Sequence, residues 1–202
     1  QSLRVVDVLE ATSSRRGMNL TAEVRDGIVN HTGSGRPFTL EGQVVKISDR
    51  VAYINHDIDD ALRSGVISME DIPKTALELF GYSHRERINN MVTDLIKNSD
   101  GREEISQSPQ FREELNRLRT FMFSHVYKSG RVKREEDLAK VEVVISSLYN
   151  YFLRDPSKLP DDLRQVAEED GVNEAVKDYI AGMTDRFALN IYTELFVPKS
   201  WK

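Results

Sequence analysis

Apolar residues recur at helical spacing along nearly the whole chain. No stretch of strand length alternates at period two without also fitting a helix. The pattern predicts helices over Ser2 to Ala11, Thr21 to Asn30, Leu40 to Arg63, Lys74 to Phe80 and Ser83 to Asn98. Further helices are predicted from Pro109 to about Tyr127, Lys133 to Leu153, Asp161 to Asp170 and Asn173 to Phe196. Local chemistry agrees with several of these ends. Thr21 and Ser83 are N-cap residues, and Glu86 completes a capping box with Ser83. SMED at 68–71 resembles a second capping box, and Gly65 and Gly81 sit where helices stop. The breaks are Thr12–Gly17, the glycine-rich His31–Pro37, the polar Asp100–Pro109, the Ser129-Gly130 turn and the proline-bearing Asp155–Pro160. The expectation is an all-α chain of about eight to ten helices, with no internal repeat.

One segment stands out, LEGQVVKISDRVAYINHDIDDALR at 40–63. A helix turns about 100° per residue, so with Asp49 at zero, Tyr53, His56 and Asp60 fall within about 40° of it. Asp57 and Arg50 follow at about 80–100°, while Val44, Ile47, Val51, Ile54, Ile58 and Leu62 form the opposite, apolar side. The polar face of such a helix is ordinarily solvated charge. Here Asp49, Asp57, Asp59 and Asp60 crowd together, and packed carboxylates repel unless a cation or a basic partner offsets them. That row is a candidate metal or sugar-hydroxyl site.

Composition narrows the classes. The 202 residues suffice for one domain with a sizeable core or two small ones. A net charge of −5 gives no general attraction to nucleic acid or anionic membrane. The absence of cysteine excludes disulfides, thiolate zinc sites and a cysteine nucleophile. No apolar run reaches membrane-spanning length and no signal peptide is visible, so a cytoplasmic location is expected. The chain opens at Gln1 already in helical pattern, with no capping residue before it, and reads as part of something longer. Arg15-Arg16 and the loop histidine His31 are read as solvated loop residues, and the glycine-rich loop lacks phosphate-loop spacing.

QSLRVVDVLE, GMNLTAEVRDGIVNHTG, the 40–63 segment and VKDYIAGMTDRFALNIYTELFVPKSW resemble the bacterial deoxyguanosinetriphosphate triphosphohydrolases and their dNTPase-like relatives, which are HD-domain metal phosphohydrolases. The resemblance spans nearly the whole chain. It implies an HD-like helical fold whose N-terminal metal-binding helices are not in this sequence. Residues 1–67 would be the C-terminal part of the catalytic domain and 68–202 a helical C-terminal subdomain. It implies a divalent metal, Mg²⁺ or Mn²⁺, bound by a histidine, a His-Asp pair and a later aspartate. Of these only the last is carried here, as Asp49. By the same resemblance Arg50 contacts substrate phosphate, Tyr53 lies at the sugar and phosphate, and Asp57 bonds the sugar 3′-hydroxyl. His56-Asp57 is not the family's metal pair. The reaction implied is attack of a metal-activated water on the α-phosphate of a deoxynucleoside triphosphate, releasing deoxynucleoside and tripolyphosphate. A homo-oligomer is expected on the same ground. The competing expectation is a non-catalytic helical nucleotide-binding or oligomerisation module, and a third is an HD phosphohydrolase of another nucleotide. Gln1, Arg4, Tyr179 and Asp185 are lesser candidates for the edge of the pocket, with helix packing and salt bridging favoured for them.

Overall fold

A computed structural model describes residues 1–12, 15–129 and 135–199. Among these the α-helices are α1 (Ser2–Arg4), α2 (Ala22–Asn30), α3 (Leu40–Arg63), α4 (Lys74–Phe80), α5 (His84–Ser99), α6 (Pro109–Met122), α7 (Glu135–Arg154), α8 (Asp161–Asp170), α9 (Val172–Ala181) and α10 (Asp185–Phe196). α1 runs on as a π-helical turn over Val5–Leu9, and α6 does so over Phe123–Tyr127. The fold is all-α, as the periodicity predicts. The predicted turn at Gly130, the helix start at Lys133 and the final Ser200 and Trp201 lie outside the described residues.

Two differences from the sequence pattern have clear causes. The break at 12–17 holds a short antiparallel ladder, β1 (Ala11–Thr12) with β2 (Arg15–Arg16), pairing Ala11 with Arg16 and Thr12 with Arg15. Two residues per strand are too few for alternation to register. Arg15 serves this turn, donating to the carbonyls of Gly17 and Met18 at 3.1 and 3.0 Å. The single last helix predicted over 173–196 is two helices. Thr184 leaves helical geometry, at φ −73° and ψ 155°, and its hydroxyl accepts from the Phe187 amide at 3.2 Å. An apolar period that continues across the break concealed this cap.

The chain forms two compact units, Gln1–Val132 and Lys133–Lys202. Packing does not divide at residue 67. Ile67, Ile72 and Ala76 share a core with Val51 and Ile58, so the stop at Gly65 (φ +70°) is a turn within one core. In the first unit α3 is central. Its Val51, Ile54, Ile58 and Ala61 meet Phe80 of α4, Met91 of α5, and Leu115, Leu118 and Met122 of α6. The stripe is not buried over its whole length. Val45 is 54% exposed, and with Val24, Gly27, Ile28 and Gly42 it lines an open apolar groove of about 560 Å³ between α2 and the start of α3. The two helices cross closely at Gly27 and Gly42, where a Cβ on Gly42 would lie 2.7 Å from Pro37 Cβ. In the second unit Leu148 and Phe152 of α7 pack with Leu159, Val166, Ala175, Val176 and Ala188. The predicted α7 stripe is buried only at that end, since Leu138, Val141 and Ile145 are exposed.

On α5 the predicted core positions Val92 and Ile96 are exposed, and Arg87 is buried instead, at 2% exposure. Its Nε donates to Asn55 Oδ1 at 2.9 Å and its Nη2 to Asp59 Oδ1 at 2.6 Å, while Nη1 reaches the Tyr82 carbonyl at 3.3 Å. Asn55, wholly buried, donates in turn to the Val51 carbonyl at 2.8 Å. Asp59 is 30% exposed and keeps His84 at 2.6 Å, so the loss of Arg87 falls mainly on the buried Asn55 oxygen that would be left without its donor. Arg87→Ala is therefore expected to lower unfolding free energy by about 1–3 kcal/mol, as measured by urea denaturation. A loss no larger than that of an exposed arginine such as Arg85 would contradict this role.

Candidate functional site

α3 presents its polar face because its other face is spent on the core. Thr39 starts the helix, its hydroxyl accepting from the Gly42 amide at 3.1 Å. From there Asp49, Arg50 and Tyr53 project into one cleft of about 500 Å³. Its other walls are Lys46, the loop residues His31, Thr32, Gly33 and Ser34, and Arg119 from α6. Three cationic side chains and one carboxylate thus share the space, so an anion entering it meets a favourable local field despite the acidic chain. Among the described residues neither Asp49 nor Arg50 has an ion-pair partner, and both remain available to a ligand. Arg119 lies over the Phe123 ring, 5.4 Å from its centroid, which leaves the edge of its guanidinium able to donate.

Asp57 is placed differently from the other three expected residues. It does not line this cleft. It sits one turn beyond Tyr53, half-buried, and its Oδ2 accepts a hydrogen bond from the hydroxyl of Tyr127. Burial, that bond and the nearby Asp57 charge all push the Tyr127 phenol well above its ordinary value. The bond crosses 70 positions of sequence and fixes the Asp57 carboxylate.

His56 is exposed and its ring stacks on His84, with centroids 5.3 Å apart, so its visible role is a ring contact. His31 closes α2, its Nδ1 lying 2.6 Å from the Ile28 carbonyl, and its ring borders the cleft, where the sequence suggested only a surface residue. Tyr179 packs edge-on against Phe152 at 5.0 Å in the second unit, and Asp185 is exposed in the first turn of α10. Gln1 and Arg4 are not among the residues that line the cleft.

Sequence reasoning missed Lys46, Arg119 and Tyr127. Lys46 was accessible to it, since three residues before Asp49 is about 60° away on the same face. Arg119 and Tyr127 carry no local signal, because only the packing of α6 on α3 brings them near. Among the described residues no group of three or more His, Asp or Glu is arranged to hold a metal ion. Asp49 supplies one oxygen donor of the kind Mg²⁺ or Mn²⁺ takes, and a single carboxylate is not a metal site.

Tyr127 makes the site pH-dependent in a defined sense. A phenol with a folded-state value raised above the unfolded one contributes stability that is complete below about pH 10 and is lost as pH rises beyond it. Tyr127→Phe is expected to flatten the fall in stability above pH 10, followed by urea unfolding at stepped pH. An unchanged alkaline limb would show that the phenol ionises freely in the fold.

The chain is similar to known proteins along its whole length. It is 49% identical over 201 residues, all of this chain, to a "Deoxyguanosinetriphosphate triphosphohydrolase-like protein" of Caldanaerobacter subterraneus subsp. tengcongensis. It is 39% identical to a protein so named from Clostridium tetani and 38% identical to one from Clostridium perfringens strain SM101, each over 98% of this chain. The chain spans 58–60% of the length of these relatives. Residues 105–194 match a family described as a phosphohydrolase-associated domain. No helix among the described residues is long and apolar enough to cross a membrane. The chain is thus similar over its whole length to deoxyguanosinetriphosphate triphosphohydrolase-like proteins, and its residues 105–194, from just before α6 into α10, match the phosphohydrolase-associated domain.

Proposed function

We propose that the whole protein is a metal-dependent deoxynucleoside triphosphate triphosphohydrolase and that this chain supplies the substrate side of its site. The observation that carries the reading is the convergence of Asp49, Arg50 and Tyr53 with Arg119 in one cleft. The family resemblance supports it. In this reading Arg50 and Arg119 pair with triphosphate oxygens from two different helices, a geometry suited to the guanidinium fork. Tyr53 packs against the sugar, and Asp57, one turn beyond the cleft with its Oδ2 held by the Tyr127 hydroxyl, is the acceptor for a 3′-hydroxyl that extends past Tyr53. When bound, the divalent metal supplies an activated water at the α-phosphate, and Asp49 is the one ligand this chain offers to it. The remaining ligands would come from the part of the relatives that this chain does not match. The protein would act in the cytoplasm as a homo-oligomer.

A second reading is favoured by the lone carboxylate. In that reading the 202-residue chain by itself binds nucleotide without hydrolysing it, because Asp49 alone is one carboxylate of a metal site.

The test is product analysis of the full-length protein with each dNTP and Mg²⁺ or Mn²⁺. Intact tripolyphosphate is expected, and orthophosphate or pyrophosphate would overturn the assignment. Arg50→Ala in that protein is expected to lower kcat/KM by about 10–100-fold, the loss of one charge-assisted contact. The isolated chain is expected to hydrolyse no dNTP.

A further inference from the structure

Lys46 lines the cleft four residues before Arg50, which makes it look like a third phosphate ligand. Its geometry says otherwise. The ammonium lies 2.9 Å from the Asn30 carbonyl oxygen, 3.2 Å from that of Thr32, 2.9 Å from that of Gly33 and 2.7 Å from that of Gly35. A lysine ammonium has three donors and no acceptor. All three are committed to four convergent backbone oxygens, and none is left for an anion in the cleft.

The loop is shaped for this arrangement. Gly33 takes φ +69°, a conformation that side-chain-bearing residues avoid. A Cβ on Gly35 would collide with the Asn30 side-chain oxygen. The Asn30 amide is itself fixed by Asp26, donating to Oδ1 at 2.7 Å. Such a ring of carbonyls has no hydrogen-bond donors of its own and repels itself without a cation at its centre. The Lys46 side chain brings that cation from α3.

We propose that Lys46 is a positioning residue: a tethered cation that fixes loop 31–36 as one wall of the cleft, without touching phosphate. This rests on the proposed phosphate-binding role of the cleft only for its functional consequence. The loop-pinning itself is independent of what the cleft binds. Burial and the neighbouring Arg50 charge push Lys46 below its ordinary value, in keeping with an ammonium withdrawn from water.

The experiment has three arms. In the unmodified chain, amine labelling followed by mass spectrometry is expected to modify Lys46 far more slowly than the exposed Lys97. Equal rates would overturn the proposal without any variant. In Lys46→Met, cleavage within 31–36 by a nonspecific protease is expected to accelerate at least about tenfold while the α3–α6 core stays uncut. Lys46→Arg keeps the charge but replaces a point donor with a planar fork, so it is expected to accelerate loop cleavage as well. Unchanged loop cleavage in Lys46→Met, or full restoration by Lys46→Arg, would overturn the proposal, the latter by showing that charge alone suffices. Tripolyphosphate is the ligand probe, and both variants are expected to weaken its binding by about tenfold. Failure of the unmodified chain to bind tripolyphosphate would count against the phosphate cleft, while the labelling and proteolysis arms still decide the loop.

Discussion

The rotational setting of α3 depends on a buried charge. Arg87 reaches from α5 to Asn55 and Asp59, and these two anchor the helix about its own axis. A purely apolar stripe tolerates small rotations, because one aliphatic side chain replaces another at little cost. Directed bonds to a guanidinium do not. Since neighbouring residues on a helix point about 100° apart, a slip of one position would carry Asp49 and Tyr53 out of the cleft they share. The cleft on one face is therefore held in register by a polar contact on another.

Around that fixed helix the cleft is assembled from pieces of very different origin. Asp49, Arg50 and Tyr53 come from consecutive turns of α3. The opposite wall is a loop that has no regular structure and keeps its shape through the Lys46 ammonium. The third wall is α6, which brings Arg119 to the cleft and, through its π-helical end, Tyr127 to Asp57. A neighbouring segment is tied in as well. Gln43, buried at the base of α3, donates to the Pro37 carbonyl at 3.1 Å and accepts from the Ile105 amide at 3.1 Å, so one side chain joins the loop exit to the approach to α6.

Much of this is written locally and much is not. The bounds of α3, the Thr39 and Thr21 caps, the Ser83–Glu86 box and the glycine stops follow from side-chain chemistry within four residues, and such features survive any tertiary context. The face that carries Asp49, Arg50 and Tyr53 follows from periodicity. Periodicity fails where apolar spacing and burial part company. Val92 and Ile96 fit the α5 stripe yet face outward, and Arg87 breaks the pattern yet is buried, because its partners on α3 are more than 25 positions away. It also fails at Thr184, where a cap interrupts a helix whose apolar rhythm continues. The family resemblance supplied roles for Asp49, Arg50, Tyr53 and Asp57. It gave no reason to look at Lys46, whose task is visible only once the loop carbonyls are seen to converge.

The contact between Tyr127 and Asp57 has a consequence for biogenesis. During synthesis α2 and α3 leave the ribosome well before the end of α6, and until then Asp57 has no phenol to meet and the cleft lacks its arginine wall. Local helices form in microseconds, whereas joining segments 70 residues apart must wait for both to exist. The nascent chain thus spends seconds with α3 exposed along its apolar side, at ordinary translation speeds of about 5–20 residues per second. During that interval the apolar side of α3 is open to chaperones and to wrong partners.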